Sequence, residues 1–258
     1  MTTSATELQL SVVLPAYNEA RNIVGVVSRM ATHLDGHGIA YEIHVVDDGS
    51  RDATAGIVST LCASNPRVQV LRHATNRGYG AAIRSGLDAS RGRYILVSDS
   101  DGQFCIEDFA ALWRERERAD LVLGYRRRRS DPWPRRLAGW MYNRLLVPAL
   151  LGGRFRDVNC GFKLIASRAL EGMDLDSTGA LISAELLTRA RLRGAQIVEV
   201  GVRHLPRMHG RATGLLPRVV LRMLTELVTL RRRILACGGA SARVGLRADC
   251  NPIESASA

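Results

Sequence analysis

Short apolar runs alternate with longer stretches of mixed polarity along the first half of the chain. The runs are rich in Val, Ile and Leu and predict β-strands at 10–15, 41–47, 68–71, 94–98 and 120–125. Between them, apolar residues at helical spacing predict helices at 20–34, 52–63 and 106–118. This alternation is typical of an α/β protein with a mainly parallel sheet that helices cover on both faces.

A few residues set the expected boundaries of these elements. Pro15 cannot donate a hydrogen bond to a central ladder, so we expect the first strand to end there. Ser50 is a candidate N-cap for the second helix. Gly78 and Gly80 precede a further helix start, whose backbone N–H groups are a candidate binding site for an anion.

After residue 214 the sequence predicts an amphipathic helix followed by a tail. On a helix over residues 215–236, one face carries Leu216, Val220, Met223, Leu227, Leu230 and Ile234, and Arg residues lie opposite. Such an amphipathic helix either lies at a membrane interface or packs on the core of the protein. Residues 237–258 are mostly small and polar and predict a disordered tail, and residues 1–9 predict a flexible N-terminus.

Composition narrows the class of protein. With 258 residues, 46% of them hydrophobic and 24% charged, the chain is typical of one globular α/β domain with extensions. Its net charge of +11 favours nucleic acid, anionic lipid or phosphorylated substrates as partners, but only 5% of the residues are aromatic, which argues against single-stranded nucleic acid. Five scattered cysteines without a C-x-x-C pair predict reduced thiols in a cytosolic setting.

The sequence also bears on membrane contact. Residues 1–9 lack the pattern of a signal peptide, and no stretch of about 18 uninterrupted apolar residues is present to span a bilayer. We therefore expect a cytoplasmic location, with any membrane contact made at the surface.

Side chains that carry oxygen follow the fourth predicted strand. Asp99, Asp101 and Gln103 point to the same side if the extended geometry continues, because alternate residues of a strand share a face. Carboxylate and amide oxygens suit Mg²⁺ or Mn²⁺, which often share their ligands with substrate phosphates. The alternative is an ordinary polar turn. Asp47 and Asp48 end the second strand at the same edge, where ligands of open α/β sheets bind.

Four successive motifs resemble those of the family 2 inverting glycosyltransferases, which have the GT-A fold. They are Pro15-Ala-Tyr-Asn-Glu19, Val46-Asp-Asp-Gly-Ser50, Asn76-Arg-Gly-Tyr-Gly80 and Asp99-Ser-Asp-Gly-Gln103. Within that family the chain resembles the polyprenyl (dolichyl) phosphate mannosyl- and glucosyltransferases. That likeness depends on Asp99-x-Asp-x-Gln103, on Arg156-Asp-Val-Asn-Cys-Gly-Phe-Lys163 and on His204-x-Pro-Arg-x-x-Gly210.

The resemblance implies a role for each matching position. Residues implied to bind a nucleotide-sugar are Pro15, Tyr17, Glu19, Val46, Asp47, Asp48, Asp99, Ser100, Asp101, Gln103 and Arg207. A Mg²⁺ or Mn²⁺ ion is expected on Asp101 and Gln103, with Asp99, and the expected catalytic residues are Asp101 and Arg207. Arg156 and Cys160 are implied to bind the acceptor phosphate, and the basic residues Arg135 and Arg136 are candidates for the same site. The domain then divides into a nucleotide-sugar-binding half at 10–125, an acceptor-binding half at 126–214 and an interfacial helix at 215–236.

Two positions depart from the relatives that transfer mannose. Cys160 replaces the usual Ser, which weakens one phosphate hydrogen bond, and Thr213 replaces a Lys beside the diphosphate. Arg residues between 126 and 156, interleaved with Trp133, Trp140 and Tyr142, form either a solvated basic face or a surface for a phosphate with an apolar tail. Glu185 is either a base for a hydroxyl acceptor or a carboxylate that holds an Arg.

Three functions fit these observations. The first is inverting transfer of a hexose from GDP-mannose or UDP-glucose to a polyprenyl monophosphate, at the cytoplasmic face of an anionic membrane and without nucleic acid as a partner. The second is transfer to a hydroxyl of a soluble glycan or metabolite. The third is a protein that binds nucleotides or nucleic acid and catalyses nothing. The sequence does not indicate an oligomeric state.

Overall fold

The computed structural model describes residues 7–127, 133–207 and 225–232, with the backbone alone for residues 133–135. Within these ranges seven strands form one sheet in the order β3-β2-β1-β4-β6-β5-β7. The strands are β1 (Leu10–Ala16), β2 (Tyr41–Asp47), β3 (Val68–Arg72), β4 (Tyr94–Val97), β5 (Leu121–Arg126), β6 (Lys163–Ala166) and β7 (Ile197–Val202). Neighbours pair in parallel except β6, which is antiparallel to β4 and β5. The predicted mainly parallel sheet is confirmed.

Helices cover both faces of this sheet. They are α1 (Ile23–Gly36), α2 (Thr54–Ser64), α3 (Tyr79–Ala89), α4 (Phe109–Glu115), α5 (Trp133–Met141), α6 (Val147–Leu151) and α7 (Ile182–Leu192). A π-helical turn, Tyr142–Leu146, joins α5 to α6. Helices α1, α2 and α4 pack with Val12 and Leu14 of β1, whereas α3 and α7 pack with Val13 on the other face. Each of these fully buried side chains contributes roughly 1.5–3 kcal/mol to folding.

The first strand continues past Pro15, contrary to the expectation that it ends there. Pro15 lies in β1 opposite Val46, and the ladder between β1 and β4 ends two residues earlier at Val13 and Val97. Because β4 no longer pairs with β1 at Pro15, the missing N–H group of this proline does not interrupt the β1–β4 ladder. The carbonyl of Pro15 instead accepts a hydrogen bond of 2.7 Å from the Ser100 hydroxyl.

The predicted cap of the second helix is wrong. The Ser50 hydroxyl accepts a hydrogen bond from the Asn18 backbone, 2.9 Å away, and does not reach the helix. Asp52 takes the capping role instead, because its carboxylate accepts the Thr54 backbone N–H at 3.0 Å. The helix consequently begins at Thr54, two residues later than predicted.

The second half of the domain adds β6, β7 and the long helical segment from 133 to 151. One side of this segment is buried through Tyr142, Asn143, Val147 and Leu151. The amide oxygen of Asn143 accepts the backbone N–H of Val158 at 3.0 Å, which ties the π-helical turn to the loop that precedes β6.

The C-terminal helix behaves differently from the predicted interfacial helix at 215–236. Residues 225–232 are helical, and Leu227 and Leu230 are buried in the core cluster that contains α7. Of the two interpretations of this amphipathic pattern, packing on the core is correct for these residues. The rest of 215–236, the tail at 237–258 and residues 1–6 lie outside the described residues. In the described part of the chain, no helix is both long and apolar enough to cross a lipid bilayer.

Candidate active site

The predicted site residues meet at one edge of the sheet. Strands β1, β2 and β4 are parallel, so their carboxyl ends share this edge, and Lys163 at the start of β6 pairs with Val97 at the end of β4. The loop at 156–162 therefore returns to the edge that carries Asp99 and Asp101. Open α/β sheets bind their ligands at such an edge.

Asp101 is held by two partners from distant parts of the chain. Its Oδ2 accepts a hydrogen bond of 2.6 Å from Nη2 of Arg207, and its Oδ1 accepts the backbone N–H of Gln103 at 3.0 Å. The same Nη2 of Arg207 lies 3.7 Å from Oε1 of Glu19. Burial raises the pKa of Glu19, although Asn22 and Arg207 act in the opposite direction. Residues after β1, after β4 and after β7 thus form one charged cluster.

Asp99 is half-buried, and its carboxylate is held by a residue of α3. Its Oδ1 accepts a hydrogen bond of 2.8 Å from the hydroxyl of Tyr79, the first residue of α3. Burial and the neighbouring Asp101 carboxylate raise the pKa of Asp99 to about 6. Gly161 is required beside it, since a Cβ at position 161 would lie 2.2 Å from Oδ2 of Asp99. Sequence reasoning did not assign roles to Tyr79 and Gly161, although both lie inside motifs that it identified.

The donor set fits a hard divalent cation. Two carboxylates of like charge lie close enough for Asp101 to raise the pKa of Asp99, and a cation between them would relieve that repulsion. The amide nitrogen of Gln103 donates to the carbonyl of Leu205 at 2.9 Å, so the amide oxygen is the atom left for a ligand role. Within 7–127, 133–207 and 225–232, no three or more His, Cys, Asp or Glu side chains form a metal-binding group. A cation here would need further ligands from a bound phosphate or water.

Asp47 and Asp48 are not free for a nucleoside in the way that the resemblance implied. Both side chains are buried. Asp47 accepts the Ser50 backbone N–H at 3.0 Å and lies 3.5 Å from Nε of Arg72. Asp48 accepts hydrogen bonds from His73, Arg77 and Gly78, which lie between β3 and α3. These carboxylates therefore shape the loops of the site, and the implied contact of Asp47 and Asp48 with a nucleoside stays a prediction.

The remaining nucleotide-binding candidates differ in exposure. Tyr17 follows β1 and is exposed, whereas Val46 and Pro15 are buried in strands. The Ser100 hydroxyl is buried and donates to Pro15, so it fixes the loop after β4 to the end of β1. Of these residues Tyr17 is the one with an exposed side chain, and the side chain of the neighbouring Glu19 is mostly buried beside Arg207.

The start of α3 does not offer an anion-binding site. The backbone N–H groups of Gly80 and Ala81 both donate to the carbonyl of Thr178, at 2.8 and 3.3 Å. The N–H of Gly78 donates to Asp48. Because these donors already have protein partners, the predicted role of Gly78 and Gly80 in binding an anion is wrong.

The acceptor-phosphate candidates differ in burial and in their contacts. Arg156 stacks its guanidinium 4.7 Å from the ring centroid of Tyr125, and Arg136 is exposed on α5. Cys160 is completely buried beside Gly124 and Phe162, and burial raises the pKa of its thiol to about 12. The Cys160 side chain therefore packs in the core, and the implied contact of this position with a phosphate stays a prediction. The side chain of Arg135, like Thr213, lies outside the described residues.

An exposed apolar stripe runs along the helical segment that carries Arg136. Leu137, Trp140, Met141 and Leu145 are each between 45% and 55% exposed and follow one another at helical spacing. Arg136 and Arg144 beside them are also exposed. Exposed apolar residues on a helix with flanking arginines are typical of a surface that enters the interface of a membrane. We call these four residues the α5–α6 stripe.

Two carboxylates are excluded as general bases by their partners. Glu185 is completely buried and accepts hydrogen bonds from the backbone of Asp176 and Ser177 and from Nε of Arg189 at 2.9 Å. The interpretation that it holds an Arg is confirmed. Asp157 is bound by the guanidinium of Arg126 at 2.6 and 2.8 Å.

Comparison with protein families and curated sequences agrees with the motifs. Residues 11–187 match the model of Glycosyl transferase family 2. Human dolichyl-phosphate beta-glucosyltransferase is 30% identical over 75% of this chain and 66% of its own length. Polyprenol monophosphomannose synthase of Mycolicibacterium smegmatis is 33% identical over 74% of this chain and 75% of its own. The chain thus spans just under two thirds of the human protein.

Comparison with solved structures supports the fold. Glucosyl-3-phosphoglycerate synthase from Mycobacterium tuberculosis, solved with Mn²⁺, UDP-glucose and phosphoglyceric acid, superposes with a TM-score of 0.66 at 21% identity. The match covers 87% of this chain and 80% of that one. The predicted GT-A fold is confirmed.

Proposed function

Because the chain belongs to glycosyltransferase family 2, we propose that it moves a hexose, with inversion, from a nucleotide-sugar of the GDP-mannose or UDP-glucose type to a polyprenyl monophosphate. The reaction takes place where the sheet edge meets a membrane surface. One observation carries this proposal. The exposed α5–α6 stripe is tied through Asn143 to the loop at 156–162, which lies at the same sheet edge as Asp99 and Asp101.

The donor binds at the carboxyl ends of β1 and β4. Asp99, Asp101 and Gln103 would hold Mg²⁺ or Mn²⁺, which when bound offsets the negative charge of the leaving nucleoside diphosphate. Arg207 lies beside Asp101 and adds a fixed positive charge at the same point. Tyr17, which is exposed at this edge, and Glu19, which lies beside Arg207, contact the nucleoside.

The acceptor needs positioning more than deprotonation. A phosphate monoester is already an anion at neutral pH, since its second pKa is about 6. The buried position of Glu185 and the pairing of Asp157 with Arg126 agree with a reaction that uses no protein base. Arg156 and Arg136 bind the acceptor phosphate, and an orienting pair of arginines supplies the proximity that such a displacement requires.

The membrane holds the acceptor's tail. Leu137, Trp140, Met141 and Leu145 enter the interface, and the neighbouring Arg136 and Arg144 attract anionic lipid by about 1 kcal/mol each. We propose contact with the cytoplasmic leaflet, because its anionic lipids attract a chain with a net charge of +11. The binding is peripheral.

An acceptor assay tests the proposal. GDP-[³H]mannose and UDP-[³H]glucose are each incubated with the protein, Mn²⁺ and a polyprenyl phosphate, and the label is partitioned between water and organic solvent. We expect label from one donor in the organic phase. Label that appears only on soluble hydroxyl acceptors would favour the second function instead, and nucleotide binding without any transfer would favour the third.

A further inference from the structure

His73 connects three elements that surround the donor site without reaching the site itself. It follows β3, is almost completely buried, and its backbone N–H donates to the carbonyl of Asp47 at 2.9 Å. Its Nδ1 lies 2.7 Å from Oδ1 of Asp48, and its Nε2 lies 2.9 Å from the hydroxyl of Ser85 on α3. A buried imidazole with a partner on each nitrogen has its ring orientation fixed.

Asp48, whose carboxylate lies against His73, also binds the backbone of the loop between β3 and α3. Its Oδ1 accepts the backbone N–H of Arg77 at 2.8 Å, and its Oδ2 accepts the backbone N–H of Gly78 at 2.8 Å. The Asp48 carboxylate therefore binds two consecutive backbone amides. Its hydrogen bond with His73 fixes how the carboxylate is rotated. Gly78 has a φ of 101° and lies against the carbonyl of Thr178, so the loop has little room to shift without breaking these bonds.

The loop ends at a residue that touches the cation-binding carboxylates. Tyr79 follows Gly78 directly, and its hydroxyl donates to Oδ1 of Asp99 at 2.8 Å. A turn of the Asp48 carboxylate would move the amides of Arg77 and Gly78, and with them the Tyr79 hydroxyl. The orientation of Asp99 is consequently connected to His73 through hydrogen bonds at both ends of the loop and the covalent backbone between Gly78 and Tyr79.

We infer that His73 is a positioning residue of the donor site, which orients Asp48 so that the loop at 77–79 presents the Tyr79 hydroxyl to Asp99. This inference rests on the proposed function, because it takes Asp99 to be part of a site for a nucleoside diphosphate. The bond from Nδ1 to Asp48 carries the effect. The bond from Nε2 to Ser85 packs the ring against α3 and contributes to stability alone.

Two substitutions of His73 distinguish the role of the bond at Nδ1 from the role of the bond at Nε2. The amide nitrogen of Asn lies near the place of Nδ1, so His73→Asn keeps the bond to Asp48 and loses the one to Ser85. The longer His73→Gln side chain reaches the place of Nε2, so it keeps Ser85 and loses Asp48. Ser85→Ala is the matched control, because it removes the Ser85 partner and leaves His73 and Asp48 in place.

The readout is the Kd for UDP and for GDP in the presence of Mn²⁺, measured by calorimetry together with the melting temperature of each variant. The nucleotide that binds the wild type more tightly is used throughout. A lost hydrogen bond to a charged group predicts a Kd about 10-fold higher for His73→Gln, and values within about 3-fold of the wild type for His73→Asn and Ser85→Ala. A merely structural role would instead make the Kd of all three variants follow their melting temperatures.

The outcomes are distinct. Equal Kd values for His73→Asn and His73→Gln, or a Ser85→Ala variant as weak as His73→Gln, would overturn the inference while the proposed function stands. A wild-type protein that binds neither UDP nor GDP would overturn the proposed function and the inference with it. If His73→Gln does not fold, His73→Asn decides alone: a Kd about 10-fold above that of the wild type contradicts the inference.

Discussion

Nη2 of Arg207 lies 2.6 Å from Oδ2 of Asp101, across 106 positions of sequence. The pair joins the loop after β7 to the loop after β4 and places a permanent positive charge beside the carboxylate expected to hold the cation. Replacing Arg207 by Ala removes a charge that opposes the negative charge of the departing diphosphate. We predict a kcat lower by about 10²-fold or more, measured as initial rates of sugar transfer.

Arg203 provides the control for Arg207. It lies four residues earlier, is exposed, and pairs with Asp108 at 3.0 Å away from the cluster. Arg203→Ala should leave kcat within about 2-fold of the wild type, since exposed ion pairs contribute little. Equal losses in the two variants would mean that Arg207 acts only through the general basic charge of this loop.

Gly161 is predicted to be intolerant of any side chain. A Cβ there would lie 2.2 Å from Oδ2 of Asp99, so Gly161→Ala must displace that carboxylate or the loop that carries it. We expect transfer activity to fall by about 10-fold or more, because small displacements of ligands are costly in an active site. Gly56→Ala on α2 is the control, since nothing lies within 4 Å of its added Cβ. That variant should keep full activity and gain up to ~1 kcal/mol in helix stability.

The α5–α6 stripe is predicted to bind membranes. Combined Leu137→Ser, Trp140→Ser and Leu145→Ser substitutions should reduce cosedimentation with vesicles of phosphatidylglycerol and phosphatidylcholine by about 10-fold or more, since each apolar side chain that leaves water contributes more than 1 kcal/mol. Leu192→Ser on α7 is the control, because Leu192 is 57% exposed but lies outside the stripe. Unchanged sedimentation of the triple variant would assign membrane contact to another surface.

Glu42 is predicted to make folding stability depend on acid. Burial by itself would raise its pKa, but hydrogen bonds from Ser11 and Arg91 outweigh burial and lower it to about 2. The folded pKa is below the unfolded one of 4.5, so Glu42 stabilises the protein fully above pH 4.5 and loses this contribution as the pH falls toward 2. The shift corresponds to roughly 3 kcal/mol at neutral pH.

Denaturant unfolding of Glu42→Gln tests this expectation. The variant should be less stable than the wild type at pH 7, and the difference should shrink as the pH falls below 4.5. Glu117→Gln serves as the control, because Glu117 is half exposed and its ion pair with Arg93 contributes little. A difference for Glu42→Gln that is the same at every pH would contradict the account.

The first half of the fold could be predicted because its strands are short apolar runs and its helices carry apolar residues at helical spacing. Strands β6 and β7 were missed: β6 has four residues and lies antiparallel between β4 and β5, so tertiary pairing rather than periodicity defines it. Packing of residues 225–232 on the core was one of two interpretations of the predicted helix at 215–236, and the exposed stripe on the segment at 133–151 was not predicted. Both segments bury one side in the same core cluster, through Leu227 and Leu230 in one and Tyr142, Val147 and Leu151 in the other, and residue type alone did not show which side of each is exposed.

The site was predicted as a set of residues but not as a set of contacts. Motifs identified Asp99, Asp101 and Arg207, because cation and phosphate chemistry restricts the residue types at such positions. Burial of Asp48 and Cys160 could not be predicted from residue type, since it depends on how the loops fold over them. The bonds from Asp48 to the loop after β3 likewise join residues about 30 positions apart.

We expect the carboxylate at position 101 to support transfer of a sugar to a polyprenyl phosphate. The most direct measurement compares wild type and Asp101→Asn in the rate at which labelled sugar enters the organic phase, with Mn²⁺ and again with EDTA. We predict that the substitution and EDTA each reduce the rate by about 10²-fold or more, at an unchanged melting temperature. A variant that retains more than about a tenth of the wild-type rate with Mn²⁺ would contradict the account.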